Sequence, residues 1–192
     1  RTFDAQVVLV ATGRVPNSDR LDVAAAGIAV DVHGHVATDA TYQTNVPGIW
    51  ALGDLANHFQ LKHMANAESR LVRHNLTTPT TPVSAHFDVV PAAVFADPQV
   101  ATFGATEEQL RASGQPYLAA TRDYAATAYG WALEDTTSFV KVLADPHTRL
   151  LLGAHIIGPD ASILIQPLLQ AACLGNTVDQ LATGVLYIHP AL

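Results

Sequence analysis

Apolar residues in this chain follow two spacings, and each change of spacing marks where an element is expected to begin or end. Residues 5–10 form a β-branched apolar run closed by Ala11-Thr12-Gly13, which predicts a strand feeding a tight turn. In LDVAAAGIAV, residues 21–30, Gly27 predicts the end of one helical turn. VDVHGHVATD then alternates around His33-Gly34, a hairpin pattern in which the glycine supplies positive φ. Ile49, Trp50, Ala51 and Leu52 make a short continuous apolar run between Pro47-Gly48 and Gly53-Asp54, which predicts a strand covered on both faces. Leu61, Met64, Ala65, Leu71, Val72 and Leu76 recur at three- and four-residue steps, the mark of an amphipathic helix starting near Leu61-Lys62-His63.

TTPTTPVSAH, residues 77–86, has no apolar periodicity and is the expected linker and domain boundary. Beyond it, apolar strand pieces flank Asp97-Pro98, and Thr106 with Glu107 and Glu108 opens a helix that runs to Ser113-Gly114. Residues 116–122, 138–143 and 150–157 predict three more strands, the last two joined by an Asp145-Pro146-His147-Thr148 turn. YGWALEDTT, residues 129–137, is expected to be an exposed aromatic stretch. Residues 161–175 predict an apolar helix despite Pro167, closed by Gly175, with Cys173 as a small buried hydrophobe; Thr177 caps a further helix that Gly184 ends. Strands followed by helices imply an α+β fold, with helices on one face of a mainly antiparallel sheet.

Composition narrows the partners. The chain of 192 residues is 49% apolar and only 14% charged, so much of its surface expects to be covered. A net charge of −7 with no basic stripe argues against nucleic acid and anionic membranes. No apolar run approaches the length of about 18 residues that spans a bilayer, and no signal peptide is visible. The single cysteine, Cys173, excludes an internal disulfide and a complete dithiol centre within the chain, and the cytoplasm is the natural compartment. Both ends lack the loose polar character of natural termini, so a fragment of a longer protein is expected.

Four groups of residues could carry chemistry. Gly53 allows close backbone approach of a ligand, and Asp54 after it offers an acceptor to ribose-type or ribityl hydroxyls. The helix start at Leu61-Lys62-His63 points backbone N–H groups and the positive dipole end outward. His189 precedes Pro190, which stiffens the backbone and biases His189 toward an extended conformation. His33 and His35 form a conceivable metal pair, but nothing nearby supplies two more ligands at the usual spacing, and no metal is expected.

ATGRVPN, residues 11–17, followed by TNVPGIWALGD, residues 44–54, resembles the paired signature of FAD- and pyridine-nucleotide-dependent disulfide oxidoreductases. The resemblance implies that Asp54 bonds the ribityl-phosphate portion of FAD and that the helix start faces the pyrimidine end of the flavin. Gly53, Asp54, Leu61, Lys62, His63 and Ala65 are then the cofactor-binding positions. It implies that residues 1–13 are the last strand of an NAD(P)H-binding domain, 14–85 a central FAD-binding segment, and 86–192 an interface domain that pairs in a homodimer. The closing His-Pro implies that His189 is the acid–base catalyst for thiol–disulfide exchange, acting in the partner subunit. The glutamate that follows such a histidine by five residues would fall beyond Leu192. YGWALEDTT, LIQPLLQA and the TTPTTP linker look most like the actinobacterial branch that uses NADPH to reduce the disulfide of mycothiol, a low-molecular-weight disulfide. Dihydrolipoamide dehydrogenases and mercuric reductases share the core motifs, and a dimerisation module without chemistry of its own is the reading from another class.

Overall fold

The computed structural model describes residues 2–84 and 87–192, so the last two residues of the expected linker lie outside it. The chain divides into two compact units, Arg1–His86 and Phe87–Leu192.

The first unit is built around one long helix, α1, Lys62–Thr77, which buries Met64, Leu71 and Val72 as the periodicity requires. Leu76, expected on the same face, is exposed, and Glu68 and Asn75 are buried in the stripe instead. Asn75 ties the segment that follows to the unit through Val83. Its side chain donates to the carbonyls of Thr41 (3.0 Å) and Val83 (2.9 Å) and accepts from Val83 N–H (2.8 Å). The remainder is turns and isolated bridges, including Val30 with Val36 across Gly34, whose φ is +86°.

Two strands expected here do not form. Residues 5–10 make no ladder, and Val7, Val8 and Leu9 are 83%, 79% and 86% exposed. A strand exists only through a neighbour's N–H and C=O groups, and no described segment of this unit offers an edge to this run. At residues 49–52 only Trp50 pairs, in a single bridge with Gln43, and Ala51 alone is buried. A 3₁₀ turn at Gly53–Leu55 ends the run before a ladder can extend.

The second unit is the expected α+β layer. Strands β1 (Ala92–Val94), β2 (Val100–Gly104), β3 (Leu118–Asp123), β4 (Phe139–Ala144) and β5 (Leu151–Ile157) form one sheet in the order β1-β2-β5-β4-β3, every pair antiparallel. Alternation places Ala101, Phe103, Ala154 and Ile156 on one face, where Ala161 and Ile165 of the helix Ala161–Leu174 complete the core with Tyr124. Helices α2 (Glu107–Ser113), α3 (Ala128–Ala132), α4 (Ala161–Leu174) and α5 (Val178–Thr183) follow the chain. The short α3 overlaps the start of the stretch expected to be exposed and aromatic, and Trp131 within it is exposed. Cys173 is exposed rather than buried, because Ile165, Leu168, Leu169 and Ala172 turn toward the sheet and position 173 falls on the other side of α4. The edge strand β3 exposes all six residues.

At one corner β2 hands the chain to α2 over β5. Gly104 pairs with Gly153, and Ala105 N–H donates to the Leu152 carbonyl (2.9 Å). A Cβ on Gly153 would collide with the Ala105 carbonyl oxygen, so the two backbones meet only because this position has no side chain. Gly153→Ala is expected to lower the stability of this unit by about 1–3 kcal/mol through enforced displacement. Urea unfolding followed by Trp131 fluorescence in a Trp50→Phe background measures it, and an unchanged midpoint would show that the corner yields freely.

Candidate functional site

Gly53 and Asp54 form a turn that is fixed from behind. Gly53 is buried with φ +68°, and its N–H donates to Glu68 Oε2 at 2.5 Å. Glu68 is fully buried on the second turn of α1 and also accepts from Tyr42 Oη (3.0 Å) and Asn57 Nδ2 (2.7 Å) at Oε1. Burial, then the hydrogen bond to Glu68 and its charge, push the Tyr42 phenol far above its ordinary value. Tyr42 therefore stays a donor in this network. A Cβ on Gly53 would lie 3.4 Å from the Ala65 methyl, which shows how closely the turn rides on α1.

On the outer side Asp54 is exposed and pairs with Arg14, Nη1 to Oδ2 at 2.8 Å; the same Nη1 donates to the Gln60 carbonyl at 3.1 Å. A cleft of about 550 Å³ opens there, lined by residues 14–17, Arg20, Leu21, Asp54 and Leu55. Helix α1 starts at Lys62 with Leu61 as an N-cap that offers no side-chain hydrogen bond and with no acidic residue in its first turn. The positive end of its dipole is thus not offset by a local carboxylate. Lys62 and His63 are exposed there, while Leu61 and Ala65 are half-buried. The structure therefore brings Gly53, Asp54 and Ala65 together around the first turns of α1.

His189 belongs to the second unit. It is exposed, in a segment held by Tyr187 Oη on the Leu181 carbonyl (2.9 Å) and by Leu192 against the core. The peptide to Pro190 is cis.

Two groupings lay outside the sequence reading. Glu68 could have been found, since a carboxyl four residues after Met64 in an apolar stripe must be satisfied or displaced. His58 could not: it meets His35 and Asp31 only through the fold, their ligand atoms all lying within 4.8 Å of one another. His33, the partner that sequence spacing suggests for His35, is exposed and outside that group.

Glu68→Leu removes the acceptor from three donors, and each one left buried and unpaired costs about 1–3 kcal/mol. A loss of at least about 3 kcal/mol is expected in urea unfolding followed by Trp50 fluorescence in a Trp131→Phe background. A loss below about 1 kcal/mol would mean that water replaces the carboxyl at no cost.

Comparison with known proteins follows this geometry. The family model described as pyridine nucleotide-disulphide oxidoreductase, dimerisation domain, matches residues 90–192, and the model described as pyridine nucleotide-disulphide oxidoreductase matches residues 1–69. The chain is 47% identical to mycothione reductase of Mycobacterium tuberculosis H37Rv over 196 residues, covering 100% of the chain and 42% of that protein. It is 34% identical to dihydrolipoyl dehydrogenase of Geobacillus stearothermophilus, covering 100% of the chain and 40% of the relative. The chain thus spans about two-fifths of the length of these relatives. Among solved structures, the HOCl-induced flavoprotein disulfide reductase RclA from Escherichia coli superposes with a TM-score of 0.85 at 30% identity, over 95% of this chain and 42% of that one.

Proposed function

The chain belongs to the pyridine nucleotide-disulphide oxidoreductase family, and from that premise we propose that it is the flavin-contacting and subunit-pairing part of a flavoprotein disulfide reductase. The overall reaction is NADPH + H⁺ + R–S–S–R → NADP⁺ + 2 R–SH. Identity of 47% across the whole chain to a mycothione reductase is the observation that favours mycothione as the disulfide. The cytoplasm is the compartment proposed; among the described residues no helix is long and apolar enough to cross a membrane.

The residues on the first unit fit a flavin. FAD, when bound, relays two electrons from the nicotinamide to a redox dithiol, which lies outside this chain because Cys173 is its single cysteine. Gly53 seats the turn closely on α1, and Asp54 after it accepts hydrogen bonds from ribityl hydroxyls. Leu61, Lys62, His63 and Ala65 present the start of α1, whose dipole is worth about half a charge and favours negative charge placed there. That stabilisation requires no reorganisation, because Glu68 already fixes the turn that packs on α1. In this reading residues 1–13 complete a strand of the nicotinamide-binding domain, residues 14–85 serve FAD, and residues 86–192 form the homodimer interface. Exposed Val94, Phe95, Trp131, Ile163 and Leu174 supply apolar surface suited to subunit pairing.

His189 carries the proton transfers of thiol exchange. An imidazole can protonate a departing thiolate and accept a proton from an attacking thiol. Its exposure in the structure leaves it open to a partner subunit.

In the full-length protein, Asp54→Ala is expected to lower flavin content more than turnover per bound flavin, because a hydrogen bond to a charged group contributes about 1.5–3 kcal/mol. Absorbance of the purified variant reads this directly, and full flavin occupancy would remove Asp54 from the cofactor site. His189→Gln is expected to slow disulfide reduction by about 100- to 10,000-fold while flavin reduction by NADPH keeps its rate. Stopped-flow measurement of the two half-reactions separates the steps; equal slowing of both, or of neither, would sink the acid–base role.

A further inference from the structure

Three polar side chains that do not line the Arg14–Asp54 cleft converge in the first unit. Asp31 Oδ2 lies 3.5 Å from His35 Nδ1 and 3.2 Å from His58 Nε2, and the three atoms all fall within 4.8 Å of one another. The rings of His35 and His58 stand 4.1 Å apart, centroid to centroid. Metal–ligand bonds of about 2.0–2.1 Å in a tetrahedral arrangement put donor atoms about 3.3–3.4 Å apart, so two of these spacings already match a shared cation.

His35 is the second, independent observation. It is 7% exposed, and neither of its ring nitrogens makes a hydrogen bond, although buried polar atoms are almost always paired. Nδ1 is the nitrogen at ion-pair distance from Asp31. A cation between Nδ1 and Oδ2 would satisfy a group that the fold otherwise leaves desolvated at a cost.

The donors are also held in place from behind. Asp31 Oδ1 accepts the backbone N–H groups of His33 (2.8 Å) and His35 (2.9 Å), which fixes the carboxylate and leaves Oδ2 for the cluster. Desolvation raises the Asp31 carboxyl, and those two bonds together with the His35 and His58 charges outweigh it and keep it below its ordinary range. His58 follows Asn57, whose side chain is anchored on Glu68 and also accepts Phe59 N–H at 2.9 Å. The two segments are joined directly, Val36 N–H donating to the Leu55 carbonyl at 2.9 Å. Outer contacts of this kind preorganise a metal site.

We propose that Asp31, His35 and His58 bind a divalent first-row transition-metal cation, zinc(II), with water in the fourth position. Two imidazoles and one carboxylate suit zinc and disfavour magnesium or calcium, which take oxygen donors. The bound ion clips the 31–35 turn to the loop after Asp54.

The test is zinc titration of the chelator-stripped 192-residue chain by calorimetry and thermal shift, with magnesium as control. One zinc per chain and a raised unfolding midpoint, neither produced by magnesium, are expected. Loss of an outer-sphere partner alone weakens metal binding about 10- to 100-fold, so loss of a direct ligand in His58→Ala or Asp31→Asn should weaken zinc at least as much. His58 is 65% exposed, so His58→Ala should leave the midpoint in chelator unchanged and report on binding rather than folding. Absence of zinc binding, equal response to magnesium, or undiminished zinc affinity in His58→Ala would each overturn the site and leave only the close contacts of Asp31 with the two imidazoles.

Discussion

The first unit depends on one buried carboxyl. Glu68 sits at the one place where the Gly53 turn, the Tyr42 segment and the Asn57 loop all present donors toward α1, and it accepts from each. None of those segments is a regular strand or α-helix, so none carries its own backbone ladder. Their positions relative to α1 rest on side-chain hydrogen bonds that are strong in a low-dielectric interior and costly to leave unmade. A hydrophobic residue at position 68 would supply burial without direction. The carboxyl supplies direction, which the turn proposed to contact a flavin needs more than it needs burial.

The second unit was largely legible in the sequence because its determinants are local. Thr106 with Gln109, and Thr177 with Gln180, each form a reciprocal capping box, and each opens the helix where the sequence places it. Asp145 binds the N–H groups of His147 and Thr148 and folds the β4–β5 turn from within four residues. Alternation in β2 and β5 then assigns the inward face. What the pattern missed is equally physical. Helix α3 has only five residues, too few for any periodicity to show. Cys173 was misplaced because α4 is apolar nearly all round, so composition cannot tell which side meets the sheet.

The first unit was legible in its helix and in the position of its Gly53-Asp54 turn, but not in its strands or its charged clusters. The apolar runs at residues 5–10 and 49–52 announce a need for cover, and the sequence cannot show whether an edge is there to pair with. Residues 5–10 find none within this unit, and residues 49–52 find one bridge. His58 and His35 are equally invisible as neighbours, since their meeting depends on Val36 N–H reaching the Leu55 carbonyl. Motif spacing could rank Gly53 and Asp54 because a turn is local; it could not rank Glu68, His58 or Arg14, whose partners are supplied by the fold.

Asp54 and Glu68 divide the work between an exposed and a buried carboxyl. The Arg14–Asp54 pair is short, but its side chains are 64% and 47% exposed, and an exposed ion pair contributes about 0–1 kcal/mol. Arg14 therefore cannot be what fixes the turn. Glu68 holds it through the Gly53 N–H, one residue before Asp54, so the Asp54 side chain is free of structural duty and its pairing with Arg14 can be exchanged for another donor at little cost. A carboxylate that had to anchor its own turn could not also meet a ligand without loosening the fold. Placing the anchor on the helix and the acceptor on the surface separates the two demands, and it is this separation that makes a rigid but available Asp54 possible.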